Sequence, residues 1–187
     1  MPQLLLASRS PQRRALLAGL GVAFTVAPAD VRERDRGEPV ELARDNALAK
    51  ARAVAASAGP DAWVLGVDTV VAVDGVPYGK PTDRAGARRT LERLSGRTHQ
   101  VLSGLALLPG RAPPRLHVER ADVRFRALGP ALVDWYLDCQ EWRERAGGYA
   151  IQGRGAALVR EIRGDPTTVI GLPVGALLDL VPGLLAG

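Results

Sequence analysis

Eight consecutive residues, Val64–Leu65–Gly66–Val67–Asp68–Thr69–Val70–Val71, form an apolar, β-branched run with one carboxylate in its middle. Such a run reads as a buried strand. A carboxylate inside it is costly unless it has a partner or a task. Asp74–Gly75 follows, a tight-turn signal that predicts a hairpin. Gly79–Lys80–Pro81 then places a lysine on a Gly/Pro loop. Taken alone, the stretch leaves two readings open. Asp68 either pairs with a neighbouring cation to close a strand end, or belongs to a site for a charged substrate.

The segments around it alternate between the two kinds of regular structure. Leu4–Ala7 reads as a short strand and Ser8–Arg9–Ser10 as a loop. A helix follows from Pro11 to Gly19 or Gly21, with Ser10 as N-cap and Pro11 at the first position. Its N-terminus would offer free N–H groups and the positive dipole end to an anion, with Arg13 in reach; plain capping is the alternative. Phe24–Ala27 reads as a second strand and Asp30–Gly37 as a mixed-charge loop containing Glu33. From Pro39 to Ala58 a small-residue apolar face predicts a helix stopped by Gly59–Pro60. Lys50 lies in it, with Asn46 one turn earlier.

Beyond the central strand, Thr82–Asp83–Arg84 opens a helix to about Leu94. Thr98–Leu108 and Arg115–Arg126 read as strands, the second with an irregularity near Arg120 where its alternation breaks. Pro130–Gln140 reads as a helix, with Trp135, Tyr136 and Trp142 as packing residues. Ala146–Gly155 is a glycine-rich loop whose Gln152 could read a base edge through its amide. Ala157–Ile162 reads as a strand and Val174–Leu185 as a terminal helix. The alternation predicts an α/β fold with a mixed sheet, over one domain spanning 1–187 or two small lobes.

Charge and composition limit the function classes. The net charge is +5 and the isoelectric point about 10.1, which favours polyanionic ligands. Of 25 basic residues only Lys50 and Lys80 are lysine, so these two positions are candidates for a compact ammonium that the arginine fork does not replace. A nucleic-acid-binding module would explain the charge, but the arginines are scattered and aromatic residues are only 4%. No apolar run is long enough to span a membrane. The start, Met1–Ala7, lacks the basic flank and length of a signal peptide. One cysteine, Cys139, precludes an internal disulfide and fits a reducing cytoplasm. His99 reads as structural. A homodimer is left open.

Separated stretches then combine. Leu6–Ala7–Ser8–Arg9–Ser10–Pro11–Gln12–Arg13, Leu48–Ala49–Lys50–Ala51, Gly66–Val67–Asp68–Thr69–Val70 and Gly79–Lys80–Pro81 occur in this order. Leu94–Ser95–Gly96–Arg97–Thr98–His99, Tyr149–Ala150–Ile151–Gln152–Gly153 and Val169–Ile170–Gly171–Leu172–Pro173 continue the series. The set resembles the Maf family of nucleoside triphosphate pyrophosphatases over nearly the whole chain. The resemblance implies a two-lobed mixed sheet with flanking helices, similar to inosine triphosphate pyrophosphatases, with the active site in the central cleft. It implies hydrolysis of a nucleoside triphosphate to the monophosphate and pyrophosphate, assisted by Mg²⁺ or Mn²⁺. By motif match Asp68 is the proton acceptor, and Lys50 and Lys80 join it in catalysis. Ser8, Ser10 and Arg13 are substrate-site residues, and Glu33 with Asp68 forms the metal site. Thr69 and Gln152 resemble the subgroup acting on dTTP and UTP. That subgroup usually carries Arg at the position of Gln12, a position linked to substrate choice. A nucleotide sensor without turnover is the rival reading that the intact Asp68 and Lys80 argue against.

Overall fold

The computed structural model describes residues 3–185, so the Met1–Pro2 opening used above to weigh a signal peptide lies outside the described residues. The apolar run is the middle of β3 (Trp63–Val73), the axis of a seven-stranded mixed sheet. β3 pairs antiparallel with β5 (Thr98–Pro109) from Trp63–Pro109 to Ala72–Gln100. β6 (Arg115–Phe125) and β7 (Val159–Arg163) extend the sheet antiparallel beyond β5. Along β3's other edge, β1 (Leu4–Leu6) runs parallel to Trp63–Leu65, with β2 (Thr25–Val26) outside it. Further along that edge, β4 (Val76–Tyr78) folds back on Val71–Val73. The hairpin turn holds Asp74 and Gly75 at φ 52° and 74°, the paired positive values that suit right-twisted strands. Between β1 and β4, among the described residues, no strand pairs with the β3 edge at residues 66–70, and the Val67 carbonyl there accepts from the Arg13 guanidinium.

One face of the sheet carries α2 (Pro39–Ala55), capped by the Glu38 carboxylate on the N–H groups of Val40 and Glu41. Its alanine stripe, Ala43, Ala47 and Ala51, lies against glycines of the two central strands. A Cβ on Gly66 would stand 2.1 Å from the Ala47 carbonyl oxygen, and one on Gly104 equally close to that of Ala43. Glycine is required here by the approach of helix to sheet. This approach lowers Asn46 and Lys50, the polar neighbours of the stripe, onto β3.

The opposite face carries two apolar clusters. α1 (Pro11–Gly19) and α6 (Val174–Leu180) pack Leu17 and Leu177 against Leu65, Val67, Leu105 and Leu107. α3 (Arg84–Leu94) and α4 (Pro130–Asp138) pack Leu91, Leu94 and Leu137 against Val71, Val73, Val101 and Val123. Full burial of each such side chain contributes roughly 1.5–3 kcal/mol. Between the clusters lies a polar ledge. Thr69 Oγ1 meets Ser103 Oγ at 3.0 Å, and Ser103 donates to the Thr168 carbonyl in α5 (Pro166–Ile170) at 2.9 Å.

Several expectations shift. β6 pairs regularly through Arg120, and its register shift falls at Arg124/Phe125. The alternation breaks because β6 changes its packed face: Val118 lies against the α2 cluster, whereas Ala121, Val123 and Phe125 are buried on the other side. Trp135, expected to pack in the core, is 42% exposed beneath Arg154, while Tyr136 and Trp142 are buried. The terminal helix stops at Leu180 instead of Leu185, ahead of Pro182–Gly183. The short α5 was not anticipated; Asp165 caps it and Gly171 ends it at φ 113°. The glycine-rich stretch forms two 3₁₀ turns, Ala146–Gly148 and Gly153–Leu158, before β7.

Candidate active site

Asp68 projects from β3 on the α2 side and is 5% exposed. The Lys50 ammonium donates to its Oδ1 at 2.6 Å, and the Asn46 amide donates to its Oδ2 at 3.1 Å. Asn46 also accepts from the Arg34 N–H at 2.9 Å and donates to the Arg34 carbonyl at 2.9 Å, which ties the mixed-charge loop to α2. That tie brings Glu33 to Lys50, with Oε1 2.7 Å from Nζ. One ammonium thus bridges two carboxylates drawn from a loop and a strand. Burial works to raise the Glu33 pKa. Lys50, by charge and hydrogen bond, together with Lys80 and Arg13, overrides this and holds the carboxyl below its ordinary range.

Arg13 reaches the uncovered β3 edge from the first turn of α1. Its guanidinium donates to Gly171 O at 2.8 Å, Val67 O at 2.9 Å, Ser8 Oγ at 3.0 Å and Thr69 Oγ1 at 3.0 Å. Four acceptors fix a 9%-exposed cation. Burial lowers its pKa, the Asp68 and Glu33 charges oppose this, and Arg145 adds to it. Ser10 caps α1 at the Arg13 N–H at 3.5 Å, and the Ser10 N–H is itself held by Ser8 Oγ at 3.2 Å. α1 therefore begins beside the uncovered β3 edge, where a helix N-terminus favours an anion.

Ser8, Arg13, Glu33, Lys50, Asp68 and Thr69 converge on the uncovered edge. Ser10 and Gln12 join them through the first turn of α1. Lys80 stands half-exposed on the far side, 3.7 Å from Glu144, close enough for its charge to act on Glu33. Gln152 is exposed, and among the described hydrogen bonds its side chain makes none that joins it to the cluster. Two participants were not singled out from the sequence. Ser103 supports Thr69 from β5. Arg145 donates to Gln12 Oε1 just ahead of the glycine-rich stretch, and the only signal was its place one residue before that stretch.

Glu33 and Asp68 also bear on a metal. Both point an oxygen at the position held by Lys50 Nζ. Among the described residues no group of three or more His, Cys, Asp or Glu side chains forms a metal cage. Two carboxylates are the donor chemistry that a hard cation of the Mg²⁺ type takes, but the point between them is held here by the Lys50 ammonium.

An acid–ammonium cluster beside a buried guanidinium, along one uncovered edge of a continuous mixed sheet, defines an α/β domain with a highly charged candidate site. The chain belongs to the Maf family: residues 3–184 match the family described as Maf-like protein. It is 48% identical over 183 residues to a dTTP/UTP pyrophosphatase of Symbiobacterium thermophilum, covering 97% of this chain and 93% of that one. It is 45% identical to a dTTP/UTP pyrophosphatase of Myxococcus xanthus, with 95% and 90% covered. A solved nucleoside-triphosphatase described as a dITP/XTP pyrophosphatase, from Mycobacterium abscessus, shares the fold with a TM-score of 0.52 at 19% identity, covering 97% of this chain and 99% of that one.

Proposed function

We propose that this protein hydrolyses a pyrimidine nucleoside triphosphate, dTTP or UTP, to the monophosphate and pyrophosphate. The observation that carries the reading is the cluster of Asp68, Lys50 and Glu33 beside Arg13 and the start of α1. It sets an acid and several cations around one uncovered strand edge, and the names of the relatives supply the substrate class. A triphosphate brings about four negative charges, and phosphoryl transfer is accelerated chiefly by positioning and charge neutralisation.

In this reading a water molecule attacks the α-phosphorus. Its proton passes to Asp68, the bond from the α-phosphorus to the bridging oxygen breaks, and pyrophosphate leaves. Each Asp68 oxygen keeps a lone pair beyond its present bond, so the carboxylate can accept from water while Lys50 and Asn46 orient it. Arg13, Lys50 and Lys80 counter the phosphate charge. Glu33 and Asp68 would hold a Mg²⁺ or Mn²⁺ ion, which supplies further neutralisation of the triphosphate oxygens when bound. Ser8 and Ser10 hold the loop at the phosphate end, and Gln12, Thr69 and Gln152 bear on substrate choice. No helix of the described residues is long and apolar enough to cross a membrane, and the single Cys139 suits the cytoplasm.

The test is pyrophosphate release from dTTP, UTP, CTP, GTP and 7-methyl-GTP with Mg²⁺ or Mn²⁺, wild type beside Asp68→Asn. Turnover of dTTP and UTP that falls by 10²-fold or more in the variant is expected. Absence of turnover of every nucleotide, with dTTP still bound, would sink the reading and favour a sensor.

A further inference from the structure

Arg145 combines properties found at no other arginine described above. It opens the Ala146–Gly148 turn, and that turn is fastened to the Lys80 loop by the Gly147 N–H on Gly79 O at 3.1 Å. Its side chain crosses to the first turn of α1, where it donates to the neutral carboxamide oxygen of Gln12. Its Nε is buried with no hydrogen-bond partner. Burial pulls its pKa down, opposed by the carboxylate charges of Glu141 and Glu144. The guanidinium also lies close enough to Arg13 to lower the pKa of that second cation.

Two guanidinium groups and a helix N-terminus are thus gathered, and among the described residues no carboxylate forms an ion pair with Arg145, although Glu141 and Glu144 act on it through their charge. Some arginines elsewhere do pair with one: Arg84 and Arg88 with Asp134, and Arg97 with Asp74. A partly buried cation with an idle donor is unfavourable unless an anion completes it. Gln12 holds the guanidinium without neutralising it. Its Oε1 also accepts from Ser10 Oγ at 3.2 Å, so the helix cap fixes the amide and the amide fixes Arg145.

Resting on the pyrophosphatase reading, we propose that Arg145 is a further phosphate-binding residue of this site and that Gln12 is its positioning residue. The idle Nε and its neighbouring terminal nitrogen offer a fork to the oxyanions of the triphosphate or of product pyrophosphate, while Gln12 keeps the other terminal nitrogen. Gln12 thereby bears on substrate binding without touching the substrate.

The experiment titrates inorganic pyrophosphate by calorimetry and measures kcat and KM for dTTP in wild type, Arg145→Gln, Gln12→Ala and the double variant. Arg145→Gln is expected to weaken pyrophosphate binding and raise KM roughly 10- to 100-fold, with a smaller change in kcat. Gln12→Ala is expected to weaken both roughly 3- to 10-fold on its own and to add nothing in the Arg145→Gln background. Wild-type pyrophosphate affinity in Arg145→Gln overturns the Arg145 assignment, and a full additive Gln12 effect overturns the positioning role. If Arg145→Gln does not fold, Arg145→Lys carries the test. It keeps the charge and loses the fork, so several-fold weaker pyrophosphate binding is expected, and unchanged binding overturns the assignment. Failure of the pyrophosphatase reading is separately visible as wild-type protein that turns over no nucleotide, while the pyrophosphate titration still reports on Arg145.

Discussion

Lys50 is the residue on which two carboxylates depend. Its ammonium lies 2.6 Å from Asp68 and 2.7 Å from Glu33, and the Lys50 and Asp68 side chains are 10% and 7% exposed. Removing one member of a buried pair leaves the other charge without compensation, at about 3–5 kcal/mol. Lys50→Met is therefore expected to lower the unfolding free energy by about 3 kcal/mol in urea denaturation. Adding Asp68→Asn to it is expected to restore most of that loss, because no buried charge is then stranded. A double variant as unstable as the single one would mean that Lys50 matters through packing of its stem. This cluster was legible in the sequence because its chemistry is carried by rare residue types: two lysines in the whole chain and one acid inside a β-branched run. Arg145 was not legible. Arginine is the common cation of this chain, and nothing in the spacing says which one turns its guanidinium toward Gln12 across 133 positions.

At the scale of elements, the site exists because α2 lies nearly on the backbone of β3 and β5. The Gly66 and Gly104 contacts set that distance, and the distance sets where Asn46 and Lys50 meet Asp68. A methyl group at Gly66 would face a carbonyl oxygen 2.1 Å away and the Ala51 nitrogen at 2.8 Å, so the helix must move. Gly66→Ala is expected to cost about 1–3 kcal/mol or more in thermal unfolding. It is also expected to lower kcat/KM by roughly 10²-fold, since a shift on the order of 1 Å in a positioned group suffices for that. Gly19→Ala, where a Cβ meets nothing within 4 Å at the end of α1, is the control and should leave kcat/KM unchanged and thermal stability equal or slightly higher. Equal behaviour of the two variants would remove the helix distance as the cause. The alanine stripe and Gly66 could each be read in the chain, but their apposition could not, because it depends on which strand face α2 covers. The same dependence hid the face change in β6, which in sequence looks like a bulge at Arg120.

At the scale of the molecule, one buried histidine links the strands to the glycine-rich segment. His99 on β5 is 1% exposed, and its Nε2 shares a 2.7 Å hydrogen bond with the Tyr149 hydroxyl. Its ring stands edge-on to Phe125 at 4.8 Å and to Tyr149 at 5.4 Å. The Nδ1 atom is buried without a partner. Burial therefore disfavours the imidazolium and pulls the pKa down to about 4, with only a small opposing pull from Asp122. Above pH 6.5 the ring is neutral in both folded and unfolded chains and costs nothing. Below it the unfolded chain takes up a proton that the folded chain refuses until about pH 4. Stability should fall across that window by about 3 kcal/mol on account of this one group, at 1.36 kcal/mol per pKa unit. Glu33, whose pKa is held down in the folded protein, adds its own loss at lower pH. His99→Gln separates the two contributions, since an amide does not titrate. The difference in unfolding free energy between wild type and variant is expected to shrink steadily from pH 7 to pH 4. A constant difference across that range would show that the folded protein accepts the proton as readily as the unfolded chain, and that the Tyr149–His99–Phe125 junction is open to water.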